Sequence, residues 1–216
     1  MTVISMKEHA ARTAGKIKRI ALTGGIASGK SLIRKFLKEL DIPTIDADDV
    51  VHDLYHNDPD LIQQIQAQFG PDYMTAEGAI DRKKLGMVVF ENVDERRKLE
   101  ALVHPKTRDR INTFFEEQQA LQKPIGVAII PLLFECSLEK NYDIVWLVES
   151  TEEQQLYRLM NNRGLSREEA LARMESQMPL DEKKKRLTAL TQFDIVDNTG
   201  SVEETQLEIQ KLIVGF

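Results

Sequence analysis

One stretch limits what this chain can fold into more than any other: Thr23-Gly24-Gly25-Ile26-Ala27-Ser28-Gly29-Lys30-Ser31. It satisfies the pattern G-x-x-x-x-G-K-[ST], with Gly24, Gly29, Lys30 and Ser31 at the fixed places. Glycines let the backbone curl so that its N–H groups point inward and form a nest for polyphosphate oxygens. Gly24, Gly25, Ile26, Ala27, Ser28, Gly29, Lys30, Ser31 and Leu32 are therefore the candidate nucleotide-binding residues. Lys30 would set a cation against the β- and γ-phosphates, and the Ser31 hydroxyl is a candidate Mg²⁺ ligand. The flanks strengthen the match. Arg19 to Thr23 reads as a buried strand, and Leu32 to Leu40 as a helix with Leu32, Ile33, Phe36, Leu37 and Leu40 on its apolar face. Strand, loop and helix in that order place the positive end of a helix dipole at the anion site, which argues against an ordinary glycine-rich turn.

Composition narrows the class. With 216 residues, 42% hydrophobic and 30% charged, the chain suits one soluble globular domain with inserted subdomains. A net charge of −6 argues against a general nucleic-acid binder. Cys136 is the single cysteine, so neither a disulfide framework nor a cysteine-type metal cluster is available, and a cytoplasmic setting is expected. No apolar run is long enough to span a membrane. Residues 1–18 read as an N-terminal extension, frayed or a short helix. Lys7, Glu8, His9 and Arg12 break any signal-peptide core, and Glu8 disfavours an amphipathic targeting segment.

The hydrophobic pattern predicts an α/β fold with five strands. Thr44-Ile45 follows Pro43 as a short second strand, Ile125 to Ile130 and Tyr142 to Val148 are continuous apolar runs, and Asp194-Ile195-Val196 is the last. Helical patterns fill the gaps. Val50, Val51, Leu54 and Tyr55 share one face. Asn57-Asp58-Pro59 opens a helix with Leu61, Ile62 and Ile65 inward, and Asp81 caps a segment with Leu85, Val88, Val89 and Phe90. Asn92 opens a long helix in which Pro105 is expected to make a kink or break. This helical block is too long for a simple crossover, so residues of about 57–122 are expected to be an insert into a core of 19–56 and 123–216. Thr151 caps a helix carrying Leu156 and Leu159. Ser166 to Glu169 forms a capping box for a helix reaching Met178-Pro179, and Asp181 to Leu190 is charged and helical. Alternation of strands and helices predicts a doubly wound parallel sheet.

Candidate chemistry lies at strand ends. Asp46 and Asp48 flank Ala47 after the second strand, where ligands bind in open α/β sheets. One is expected to serve as a base or hold Mg²⁺ through water, the other to cap the next helix. Arg158 and Arg163 are candidates for neutralising a transferring phosphoryl group, or are ordinary solvated arginines. The segment of about 163–188 reads as a lid that excludes water or as a solvated helical hairpin. After the third strand, Leu132, Leu133 and Phe134 wall a substrate pocket or pack the core, and Glu135 could bind a hydroxyl or cation. His104 precedes Pro105 inside the insert, where a lone histidine is more often structural than catalytic.

Taken together these motifs resemble the dephospho-coenzyme A kinase family. Leu22 to Ser31 is similar to that family's opening, and Ile45-Asp46-Ala47-Asp48 to its Asp-Ala-Asp element. Leu102-Val103-His104-Pro105 is similar to its histidine-proline element, Pro131 to Glu135 to its third motif, and Asp194 to Asn198 with Gly200 to its C-terminal element. The resemblance runs from about Arg19 to the end of the chain. It implies a P-loop, nucleoside-monophosphate-kinase-like three-layer sandwich with a five-stranded parallel sheet, a helical substrate-binding insert and a lid. It implies ATP and Mg²⁺ as cofactors, dephospho-coenzyme A as acceptor, and a monomer or weak homo-oligomer. By position it makes Asp48 the general base, Thr23 a neighbour of the reacting phosphate, Arg158 the arginine facing the transferring group and Arg163 the lid arginine. Asn198 falls on the nucleotide side. Asp46, His104, Leu132, Leu133 and Glu135 fall on the substrate side. Ala27 stands where the family usually has glycine and Leu32 where it usually has threonine, while Ser31 keeps the metal role. Two other readings compete. Another small-molecule kinase of this fold would lack the larger insert. A nucleotide switch would usually carry an aspartate in a strand like Ile125 to Ile130, which has none.

Overall fold

The computed structural model describes residues 15–216; the expected extension of residues 1–18 lies outside the described residues except for its last four. Five strands form one parallel sheet in the order β2-β3-β1-β4-β5. They are β1 (Lys18–Gly24), β2 (Thr44–Asp46), β3 (Ile125–Ile129), β4 (Ile144–Glu149) and β5 (Phe193–Asp197). β1 is central. Ile20 stands opposite Val127 of β3 on one side and Ile144 of β4 on the other. Strands covered on both faces need apolar side chains at every position. Ile20, Ala21, Leu22, Val127, Ala128, Trp146 and Leu147 accordingly have no exposed surface. β5 is an edge, and of its residues only Val196 is buried.

Helix α1 (Lys30–Glu39) packs Ile33, Phe36 and Leu37 against the sheet beside Ile209 of α9 (Val202–Ile213). Leu40 was expected on that apolar stripe. It falls at the C-cap, past the last helical turn, and is 37% exposed. The chain divides into two compact units, one joining the residues up to Thr44 with Phe115–Phe216, the other Ile45–Phe114.

The helical unit holds α2 (Ala47–Asn57), α3 (Pro59–Phe69), α4 (Arg82–Glu91) and most of α5 (Val93–Ala120). Its core is Leu54, Tyr55, Leu61, Ile65, Ile80, Leu85 and Val103. Short polar side chains start its helices: Asp58 Oδ1 accepts from Leu61 N, Asp81 Oδ1 from Lys83 N and Lys84 N, and Asn92 Oδ1 from Asp94 N. One apolar side chain of α4 faces outward, and the break expected at Pro105 does not occur. Phe90 is 79% exposed because it lies five residues from buried Leu85, about 140° around the helix, while Val89 takes the inward place. α5 runs on through Pro105 as one 28-residue helix. An interior proline costs about 3 kcal/mol, and buried Val103, Ile111 and Phe115 on either side of it favour continuing the helix.

After β4 come α6 (Glu152–Arg163), α7 (Arg167–Glu175) and α8 (Leu180–Leu187). Capping boxes start α6 at Thr151 with Gln154 and α7 at Ser166 with Glu169. α7 stops at Glu175 rather than reaching Met178-Pro179, and α8 at Leu187 rather than Leu190. Pro179 cannot continue α7 and instead N-caps α8, its carbonyl accepting from Lys183 N at 3.0 Å.

Candidate nucleotide-binding site

The loop between β1 and α1 is held tight from below. Gly24 has φ 153°, and a Cβ there would stand 2.7 Å from Ser28 Oγ and 2.8 Å from the Val148 carbonyl oxygen. Gly29 has φ 110°, and a Cβ there would overlap Asn198 Nδ2. The two motif glycines are thus required by a backbone conformation and by neighbours that leave no room for a side chain. Asn198 is buried beneath the loop. Its Nδ2 donates to the Ser28 carbonyl at 2.7 Å, and its Oδ1 accepts from Thr205 Oγ1 at 3.0 Å. Ala27 has φ 56°, a left-handed conformation in which a methyl group is strained. Thr23 is buried at the end of β1, and its hydroxyl donates to the Pro131 carbonyl at 3.4 Å.

The loop's chemistry suits an anion. Gly29 caps α1 with no side-chain acceptor, and no acidic residue lies in the first turn, so nothing from that turn neutralises the helix terminus. Leu32, at the third position of α1, donates its backbone N–H to the Gly29 carbonyl at 2.9 Å, so the motif ends inside the first helical turn. Lys30 Nζ bends back over the loop and donates to the carbonyls of Gly24 at 2.9 Å and Gly25 at 2.8 Å. Buried Ser28 Oγ makes no hydrogen bond. Ser31 is exposed at the start of α1. Among the described residues, no three or more His, Cys, Asp or Glu side chains are grouped to hold a metal. One hydroxyl fits Mg²⁺ nonetheless, because that ion keeps several waters and is bound largely by substrate phosphates.

Side chains from distant segments close on the same loop. Arg158, half-buried on α6, donates from one guanidinium nitrogen to the Ala27 carbonyl at 3.1 Å. Gln177, between α7 and α8, accepts from Ile26 N at 2.7 Å. Glu135 Oε1 accepts from Met178 N at 2.9 Å and lies 3.0 Å from Lys183 Nζ. Leu133 and Phe134 are fully buried, whereas Leu132 is 43% exposed. Arg163 is exposed at the last position of α6, five residues from Arg158, so the two arginines do not share a helix face. Gln177 and Lys183 were missed by sequence reasoning. Gln177 sits between helices with no periodic signal. Lys183 sits in a charge run, although its spacing of four from buried Leu187 places both on one face.

The other candidates belong to the helical unit. Asp46 is the N-cap of α2, and its Oδ1 accepts from Asp48 N at 3.0 Å. Asp48 is exposed in the first turn, with its carboxylate outside that cap bond. The expectation of one capping and one remaining carboxylate therefore resolves with Asp46 as the cap. His104 is exposed on α5.

Comparison with known proteins adds family to geometry. The family described as Dephospho-CoA kinase matches residues 18–204. A dephospho-CoA kinase of Geobacillus kaustophilus is 42% identical over 197 residues, covering 90% of this chain and 94% of that protein. One from Carboxydothermus hydrogenoformans is 40% identical over 194 residues, covering 90% and 92%. A crystal structure from Thermus thermophilus superposes with a TM-score of 0.77 at 32% identity, covering 93% of this chain and 98% of that one. A dephospho-CoA kinase structure from Campylobacter jejuni gives 0.64 at 28% identity, with the same coverage. A five-stranded parallel sheet around a complete phosphate loop and a family match over nearly its whole length lead to one conclusion: this chain belongs to the dephospho-CoA kinase family.

Proposed function

We propose that this protein transfers the γ-phosphate of ATP to the ribose 3′-hydroxyl of dephospho-coenzyme A, giving coenzyme A and ADP, the last step of coenzyme A synthesis. Family membership names the acceptor class. The observation that carries the reading is Arg158 at the Ala27 carbonyl, which brings a second cation to the loop already holding Lys30. In transfer, the acceptor oxygen bonds to the γ-phosphorus, and the bond from that phosphorus to the β–γ bridging oxygen breaks. Negative charge spreads over the moving group and the leaving ADP. Lys30, Arg158 and the loop N–H groups stabilise that charge, and the work is mainly positioning and electrostatics. Thr23 holds the end of β1 beside the reacting phosphate. Asp48 receives the proton of the 3′-hydroxyl, and Asp46 sets the start of α2 that carries it. Mg²⁺, when bound through Ser31 and the phosphates, neutralises phosphate charge.

The acceptor's coenzyme A end is assigned to the helical unit and His104, and exposed Leu132 of the sheet unit is assigned separately as an apolar substrate contact. Glu135 and Leu133 serve as supports beneath the site, and Asn198 supports the loop from below. The α7–α8 hairpin is assigned as the lid, with Arg163 at its base. The test is a coupled ADP-release assay against a panel of acceptors, including dephospho-coenzyme A, nucleoside monophosphates and small polyols. Turnover confined to dephospho-coenzyme A, and lost in a folded Lys30→Ala variant, is the expected result. Equal turnover with a nucleoside monophosphate would overturn the reading.

A further inference from the structure

The phosphate loop is tied to the turn between α7 and α8 by a residue, Gln177, that none of the roles above uses. Ile26 N donates to Gln177 Oε1 at 2.7 Å, across 151 positions of sequence. A backbone N–H requires an acceptor, so the carboxamide must present its oxygen to the loop. The turn that carries Gln177 is itself fixed. The next residue, Met178, donates its N–H to Glu135 Oε1 at 2.9 Å, and the same oxygen lies 3.0 Å from Lys183 Nζ. The Lys183 side chain is 1% exposed. A buried cation therefore fixes a carboxylate, the carboxylate fixes Met178, and Gln177 is delivered to Ile26. Gly25, Ile26, Gln155, Gln177 and Lys183 line a cavity of about 300 Å³ beside the loop.

The residue type carries information. An acidic side chain at 177 would accept the Ile26 N–H more strongly, because charge-assisted hydrogen bonds are the stronger class. It would also set a negative charge against a site built for an anion. Glutamine supplies the acceptor without the charge. We infer that Gln177 is a positioning residue for phosphoryl transfer, an uncharged acceptor that fixes the Ile26 end of the phosphate loop. The inference rests on the kinase reading only for the identity of the anion.

The test uses the full chain in three forms: wild type, Gln177→Ala and Gln177→Glu. Exchange of the Ile26 amide proton is followed by NMR without nucleotide, and binding of the ATP analogue AMP-PNP by calorimetry at two salt concentrations. In Gln177→Ala, Ile26 exchange speeds up and AMP-PNP affinity falls, each by about fivefold, the size of one ordinary hydrogen bond. Gln177→Glu keeps Ile26 protected yet binds AMP-PNP at least about tenfold more weakly, and that loss shrinks as salt rises. A merely structural residue would not produce that salt-dependent split. Unchanged Ile26 exchange in Gln177→Ala overturns the inference. So does wild-type affinity in a Gln177→Glu protein that keeps its Ile26 protection. If the alanine variant fails to fold, the glutamate variant, which retains an acceptor, decides alone. Wild type that shows the expected exchange pattern but does not turn over dephospho-coenzyme A sinks the proposed function and leaves the role of Gln177 standing.

Discussion

Replacing Lys183 by methionine isolates the buried ion pair under the loop. Lys183 is buried, and its partner Glu135 has a side chain 20% exposed. The ammonium lies 3.0 Å from Glu135 Oε1 but makes no hydrogen bond, so charge rather than geometry holds the pair. Methionine fills nearly the same volume, which keeps the cavity term small. The remaining cost is a half-buried carboxylate left without its cation. Removing one partner of a fully buried pair costs about 3–5 kcal/mol. Because Glu135 is partly solvated, the low end applies, about 3 kcal/mol, or roughly 6–12 °C in Tm for a chain of this size. In the double variant Lys183→Met, Glu135→Gln, the carboxamide oxygen still accepts from Met178 N and no charge is stranded. It should return to within about 1 kcal/mol of wild type. Trp146 is the chain's only tryptophan, is fully buried on β4 and belongs to the same unit as the pair. Urea unfolding followed by its fluorescence reads this unit directly. A single-variant cost under about 1 kcal/mol, or a double variant no more stable than the single, would refute the reasoning.

Other expectations follow from the same geometry. Ala27→Gly relieves a left-handed methyl worth about 1–2 kcal/mol and loses about 0.4–1 kcal/mol to unfolded-chain entropy, so thermal melting should show a net gain of about 0.5–1 kcal/mol; a loss would mean the methyl is not strained. Asp48→Asn should lower kcat by about 10²–10⁴-fold with ATP affinity kept, whereas Asp46→Asn, which still caps α2, should lose less; the reverse order in turnover would exchange the two roles. In the helical unit, burial raises the Asp58 carboxyl pKa, but the Leu61 N–H and Lys106 outweigh it and hold the folded value below the ordinary 3.8. A depressed folded pKa means stability present above 3.8 and lost as pH falls through the lower folded value. Protection of the Leu61 amide should therefore drop on acidification below about pH 4, and Lys106→Met should bring that drop to higher pH.

Much of the fold was legible because its signals are local. The five strands are short apolar runs, and the helix starts are Ser, Thr, Asp or Asn followed by fitting partners, as at Thr151 and Ser166. The phosphate loop was legible because its glycines answer to backbone angles that no other residue adopts cheaply. Where reading failed, a competing term decided. Of the kink or break expected at Pro105, the break does not occur, because the apolar residues around it favour one continuous helix.

The support of the site was less legible, for a physical reason. Arg158 could be proposed because arginine chemistry near a phosphate is general. Asn198 was placed on the nucleotide side by the family resemblance alone, and Gln177 and Lys183 were missed; the three act through contacts that join positions 170, 151 and 48 apart, to Ser28, Ile26 and Glu135. No periodicity spans such distances, and none of these residue types marks a site alone. Their common feature appears only in the folded chain. Each is a polar or charged group with little or no exposed surface, or an acceptor aimed at a loop amide, in places where an apolar side chain would cost less desolvation. A loop curled to face an anion leaves backbone groups without partners of its own, so the chain borrows a donor, Asn198 Nδ2, for the Ser28 carbonyl and an acceptor, Gln177 Oε1, for the Ile26 N–H. That demand places Asn198 below the loop and Gln177 at its rim. It also explains the buried lysine in a run of otherwise solvated charges: Lys183 holds the carboxylate that holds the turn bearing Gln177.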